Sequence, residues 1–433
     1  MGVATTGMVR TMLAMQAERE ARGMEPPDWS AVAAVVRNGS RVASLPLDNL
    51  LVGTSRTYSA NSWVTDSAAA ATAYSCAIKT HNARVAVDGD GRSCRTVLEA
   101  LKEDRGFATG LVATSRLTHA TPAAFAAHVA NRGDEAAIAT DMTRPGLLDV
   151  AFGGGLGYLT PSLIADRRPD AAFVTTPAQL AATTTTPVFG LFGSGHLDYE
   201  LDRTEDAQPS LTTMATKAMS LLQARVDDGS VPGFFLLVEG SRIDHAGHRN
   251  DAAAHVGEAI EYSRTVAAVV AHAEAHPGTL VVAVSDHETG GMTLGRDGTY
   301  AWYPEVLLQV HASADVTGAR LGSTFTPTDN ATDAEENDAL RAAIAPYLSF
   351  SLSESEASSL RASLAAGQGG TAVRNLVNAR ARIGWTSGGH TGVDVPVHAF
   401  GGGDTFRGSM EDIEIGRRMA QLVGVSLPQI KQE

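Results

Sequence analysis

Two apolar runs in this chain end in oxygen and imidazole donors, and a histidine in a glycine-rich loop makes a third group. Phe234-Phe235-Leu236-Leu237-Val238 leads to Glu239 and then to Asp244, His245 and His248. Leu280-Val281-Val282-Ala283-Val284-Ser285 leads to Asp286-His287-Glu288, and Gly388-Gly389-His390-Thr391-Gly392 precedes the apolar stretch 393–400. Carboxylates and imidazoles are donors that zinc takes, whereas hard oxygens such as the Glu239 carboxylate and the Thr121 hydroxyl suit magnesium. Asp244 and His248 stand four apart and can share one ion if a helical turn starts there; a solvated helix start explains the same pair without a metal. His390 has little packing around it to account for it otherwise.

Val64-Thr65-Asp66-Ser67 runs into Ala68-Ala69-Ala70-Ala71-Thr72-Ala73-Tyr74. Alanine is the best helix former, and Asp or Ser caps a helix start well. Ser67 therefore stands where free backbone N–H groups and the helix dipole favour an anion. A capped helix is the plain reading. The sharper one is a serine nucleophile aimed at phosphate, activated by a metal because no general base adjoins it in sequence. Thr118-His119-Ala120-Thr121-Pro122 opens another helix, with Pro122 suited to its first position, continuing through 123–129 to Asn131-Arg132. Arg132 is either a surface residue or a clamp on phosphate oxygens.

These donors need a scaffold. Both apolar runs read as strands buried on both faces of a parallel sheet, and such sheets bind ligands beyond the carboxyl ends of their strands. Further strands are expected at 107–113 and 148–152, and helices at 1–24, 211–226, 252–273 and 410–424. Met8, Met12 and Met15 share one face of the first helix. Gly153-Gly154-Gly155 reads as a tight loop. Residues 296–385, polar at first and then helical, read as an insertion outside the sheet.

The 433 residues suffice for one large α/β domain. With 34 Lys and Arg against 48 Asp and Glu, the net charge of −14 argues against nucleic-acid binding, so an anionic substrate must meet local positive charge. Cys76 and Cys94 are the only cysteines, which rules out a thiolate zinc site and leaves a single bridge open. No apolar run approaches the roughly 18 residues of a membrane span, and no signal peptide opens the chain. Asn38 and Asn330 fit the short glycosylation pattern.

Five segments together resemble the alkaline phosphatases: 64–69, 119–123, 235–248, 285–291 and 389–392, in family order across nearly the whole chain. The Asp244-His245-Ala246-Gly247-His248 pattern and the Arg242 context are most similar to the fungal vacuolar branch, and His119 stands where many members carry Asp. The resemblance implies a three-layer α/β/α sandwich around a mostly parallel central sheet, in a single domain spanning 1–433, with 296–385 as a smaller crown-like insertion. It implies phosphate-monoester hydrolysis through phosphoserine at Ser67, with Arg132 binding two phosphate oxygens. Asp244, His248 and His390 would hold one zinc, Asp286 and His287 a second, and Thr121 and Glu239 magnesium; His119 and His245 would stand behind these ligands. A homodimer and an extracytosolic location, in a vacuolar lumen or secreted to the cell surface, are implied too.

One departure concerns the start. The family opens with an apolar strand ending in Asp-Gly-Met-Gly, whose Asp bridges the magnesium and second zinc sites, whereas this sequence begins Met1-Gly2-Val3. The expectation is a truncated or mis-started chain, with any signal peptide or membrane anchor upstream. The alternative is a catalytically impaired homologue that binds metal or phosphate. A third reading, a diesterase or sulfatase on the same metal core, fits Arg132 less well.

Overall fold

The described residues of the computed structural model are 2–24, 33, 36, 44–325 and 331–427; Asn38 and Asn330 lie outside them. The strands are β1 (Leu51–Arg56), β2 (Ala108–Arg116), β3 (Val150–Gly154), β4 (Ala172–Val174), β5 (Val188–Leu191), β6 (Phe234–Glu239) and β7 (Val281–Val284). There follow β8 (Glu288–Thr289), β9 (Met292–Leu294), β10 (Ile383–Trp385), β11 (His390–Thr391), β12 (Val395–Phe400) and β13 (Gly408–Glu411). Five of them form a parallel sheet in the order β4-β5-β3-β2-β6, and four form a mixed sheet in the order β13-β1-β12-β7. In the latter β12 runs antiparallel to both β1 and β7, and β13 runs parallel to β1.

Helices cover both faces, and the strands show it residue by residue. Leu111 and Ala113 of β2 enter one core with helices Ser67–Cys76, Val97–Arg105 and Ala120–Ala126, while Ala108 and Val112 enter another with helix Leu211–Asp227. Alternation of side chains across a pleated strand requires this of a sheet between two helical layers. A third core joins helix Val3–Arg22, through Met8 and Met12, to the long helix Ala252–Ala275 and to four helices between 314 and 381.

Three expectations change. β6 and β7 are not buried throughout: all six residues of β6 and three of four in β7 are only partly buried. Each has one edge along a slot of about 750 Å³ between the two sheets. The helix that opens at Ala120 stops at Ala126 and does not continue to Val129; Val129 pairs with Val85 in an isolated bridge, as suits a β-branched residue. That bridge brings the Arg132 N–H onto the Ala83 carbonyl. Gly153 and Gly154 lie in β3, and only Gly155 takes the left-handed turn, at φ +106°. Cys76 and Cys94 are joined, tying the end of the Ser67 helix to the loop before Val97.

That neighbouring helix carries a stability test. The Glu99 carboxylate accepts from the Thr96 N–H at 3.0 Å, from His128 at 2.9 Å and from Arg144 at 2.6 Å. Burial alone would push its carboxyl up, but His128 and Arg144 together hold it down at about 2. A depressed carboxylate pKa stabilises the fold above its unfolded value near 4.5 and loses that contribution as pH falls toward 2. Glu99→Gln is expected to cost about 3 kcal/mol in denaturant unfolding at pH 7. The difference from the parent protein should shrink as pH drops below 4.5.

Candidate metal and phosphate site

Ser67 is the first residue of its helix. Asp66, not Ser67, is the cap: its carboxylate accepts from the Ala69 N–H at 3.0 Å. The same carboxylate accepts from the Ala83 N–H at 2.9 Å and from Arg132 Nη1 at 3.0 Å, so one side chain fixes both the helix start and the guanidinium. Arg132 Nη2 donates to His119 Nε2 at 3.1 Å. Burial, then the Arg132 charge, push His119 well below the ordinary histidine pKa, which keeps it a neutral acceptor.

The donors converge because short strands and one helix deliver them. β8 and β11 pair antiparallel, His390 opposite Thr289, which sets His390 beside the residues that follow β7. Helix Arg242–Arg249 carries Asp244 and His248 one turn apart. The Nδ1 of His248 lies 2.8 Å from the Gly388 carbonyl, and the Nδ1 of His390 lies 2.8 Å from the Thr65 carbonyl. A carbonyl only accepts, so each Nδ1 carries the proton and each Nε2 presents a lone pair. These Nε2 atoms face each other across 3.1 Å. Asp244 completes the group, 3.4 Å from His248 Nε2 and 3.6 Å from His390 Nε2. Two lone pairs and a carboxylate converging in this way fit a cation between them.

Next to it, His287 Nε2 lies 3.0 Å from Ser67 Oγ and 3.0 Å from an Asp286 oxygen. Against the burial that would raise it, His287 holds Asp286 below the usual carboxylate range. One atom each from Asp244, His287 and His390 lie within 4.8 Å of one another. Deeper in the protein, burial pushes Glu239 up to about 7, with Asp286 and Asp244 adding to the rise against a 2.6 Å hydrogen bond from Ser241. Beside it the buried Thr121 hydroxyl faces the Glu239 carboxyl, without a hydrogen bond of ordinary geometry among the described residues. A buried carboxyl and a hydroxyl side by side offer the oxygen donors that a hard cation takes. All nine residues singled out in the sequence thus lie in one region, reached from the carboxyl ends of β6 and β7 and from the Ser67 helix.

The family model for alkaline phosphatase matches residues 22–168 and 163–425. The chain belongs to the alkaline phosphatase family. Alkaline phosphatase from Schizosaccharomyces pombe is 36% identical over 95% of this chain and 81% of its own length. The crystal structure of a cold-active alkaline phosphatase from Shewanella sp. superposes with a TM-score of 0.84, at 32% identity, over 98% of this chain and 97% of that one. A histidine-to-glutamate variant of the alkaline phosphatase from the Antarctic bacterium TAB5, solved with magnesium in its M3 site, matches with a TM-score of 0.62 at 25% identity over 90% of this chain and 93% of its own. The protein is accordingly a phosphomonoesterase. Among its described residues, no helix is long and apolar enough to cross a membrane.

Sequence reasoning assigned Asp66 only a capping role and missed Thr289, whose hydroxyl donates to Asp244. It also missed His196, whose ring stands 4.2 Å from His245 and 5.4 Å from His119. Asp66 directly precedes the serine and could have been weighed as a partner for an arginine. His196 sits in an unpatterned stretch and left no such signal.

Proposed function

We propose that this alkaline phosphatase hydrolyses phosphate monoesters through a phosphoserine at Ser67. Asp244, His248 and His390 would hold one zinc, Asp286 and His287 a second, and Thr121 and Glu239 magnesium. The cage of facing imidazole lone pairs beside the serine at a helix start carries this reading. Bound there, the metals supply Lewis-acid charge that lowers the pKa of a coordinated hydroxyl and offsets charge on the phosphoryl oxygens.

The chain's own groups do the rest. Ser67 Oγ attacks phosphorus, forming an Oγ–P bond as the ester P–O bond breaks and the alcohol leaves. Water then attacks the phosphoserine, the Oγ–P bond breaks, and inorganic phosphate is released. The N–H groups of Ser67 and Ala68, free of the Asp66 cap, offer donors to the phosphoryl group. Arg132, held by Asp66 and by a neutral His119, presents a fork suited to two free phosphoryl oxygens. The negative net charge would not obstruct an anionic substrate, because Arg132 and the bound metals would supply positive charge at the site. On the same reading, residues 296–385 form the crown-like insertion of a homodimer that works outside the cytosol.

The test compares p-nitrophenyl phosphate with bis(p-nitrophenyl) phosphate. The monoester should give a kcat/KM higher by about 10³-fold or more, and Arg132→Ala should lower that value by about 10²-fold. A preference for the diester would replace this reading with a phosphodiesterase.

A further inference from the structure

A cavity of about 370 Å³ adjoins the site and has His248, one of the three facing donors, in its lining. Its wall comes from three places: the turn at 198–202, the helix Arg242–Arg249, and the start of the helix Ala314–Thr324 in the 296–385 insertion. Charge on this wall is nearly balanced. At one edge Asp315 pairs with Arg249 at 3.2 Å. Arg242 lies over the Tyr199 ring, 3.9 Å from its centroid, and donates to His245 Nδ1 at 3.0 Å. Among the described residues no carboxylate is in ion-pair contact with that guanidinium. Across from it Asp202 is partly buried and accepts the Ser313 N–H at 2.7 Å. Burial raises the Asp202 carboxyl above its ordinary value in spite of that bond, and the Asp198 charge adds to the rise, so this carboxylate is short of donors. The wall therefore offers acceptors and donors side by side, with neither sign of charge in clear excess.

The geometry points to a leaving-group pocket for neutral polyhydroxy alcohols: the esters this protein takes best are phosphates of sugars or other polyols, with the phosphoryl group at Ser67 and the alcohol in this cavity. The inference rests on the phosphatase reading above. His248 belongs to both places, so an ester oxygen held at the facing imidazoles leads directly into the cavity. Carboxylates and guanidiniums are planar groups that meet neighbouring hydroxyls in paired hydrogen bonds. Hydroxyls serve the whole wall, because they donate to Asp198 and Asp202 and accept from Arg242. An alkyl or aryl group would cover the same side chains without replacing the water they bond. A cationic alcohol would meet Arg242, and an anionic one would meet Asp198 and Asp202. Since Ser313 and Val316 belong to the insertion, the insertion takes part in substrate choice.

Four primary alkyl phosphates separate these classes: glucose 6-phosphate, hexyl phosphate, phosphoethanolamine and phosphoglycolate. With zinc and magnesium supplied, kcat/KM for glucose 6-phosphate should exceed each of the others by about tenfold or more. Val316→Trp fills the cavity from the insertion side, and Asp198→Ala removes an exposed acceptor. Each should lower the ratio of glucose 6-phosphate to hexyl phosphate by about threefold or more, and the second variant decides if the first fails to fold. A binding arm needs no turnover: methyl glucoside, which carries no phosphoryl group, should show saturation transfer from the parent protein and less from either variant. Equal use of hexyl phosphate, preference for either charged ester, or an unchanged ratio in the folded variants would overturn the proposal. If no ester is turned over, the phosphatase reading itself fails; saturation transfer to methyl glucoside then supports the cavity as a polyol site, and its absence overturns it.

Discussion

Ser67→Ala is expected to lower kcat on p-nitrophenyl phosphate by about 10⁴-fold or more while leaving the far-UV spectrum and Tm unchanged. The substitution removes one oxygen, whose side-chain partner among the described residues is His287 Nε2 at 3.0 Å. The helix keeps its cap, because Asp66 and not Ser67 accepts the Ala69 N–H. Alanine also follows at positions 68–71, so the local helix preference does not fall. Loss of turnover without loss of structure would therefore report chemistry. Acid quenching with labelled phosphate should leave label on the parent protein at Ser67 and none on the variant. Near-normal turnover in the variant would exclude a phosphoserine route.

Exhaustive chelation is expected to reduce turnover by about 10³-fold or more, with recovery on adding zinc and magnesium. The physical reason is the donor arrangement. His248 and His390 both commit their Nδ1 protons to carbonyls, which leaves two lone pairs 3.1 Å apart with the Asp244 carboxylate beside them. Removing the cation returns this cage to mutual repulsion, so the stripped protein should also melt lower. At a zinc concentration about 100 times Kd, binding contributes about 2.7 kcal/mol, measurable as a rise in Tm. His390→Ala should abolish both the zinc-dependent rise and the recovery of activity. A chelated protein that keeps its turnover and its Tm would rule out a metal-dependent site.

Much of this candidate site was legible in the sequence because donor residues at strand ends keep their local signature. Glu239 ends β6, and Asp286 and His287 follow β7 at once, so the apolar runs that predict the strands also predict where the donors emerge. Ser67 is marked by the alanine run that it opens. The three-layer arrangement and the roles expected of these residues came from the resemblance of the motifs to the family. These are short-range properties, carried by neighbouring residues.

Relations between distant residues were decided by tertiary structure alone. The Arg132 guanidinium reaches Asp66 only because Val129 leaves the helix to bridge Val85, and no local preference near Arg132 encodes that partner. The pairing of Cys76 with Cys94 is set by where the Ser67 helix ends against the following loop. Partial exposure of β6 depends on what lies across its free edge, whereas its sequence, Phe-Phe-Leu-Leu-Val-Glu, is that of a strand with neighbours on both sides. Hydrophobicity records how much a strand prefers to be covered; the packing of the two sheets determines whether anything covers it.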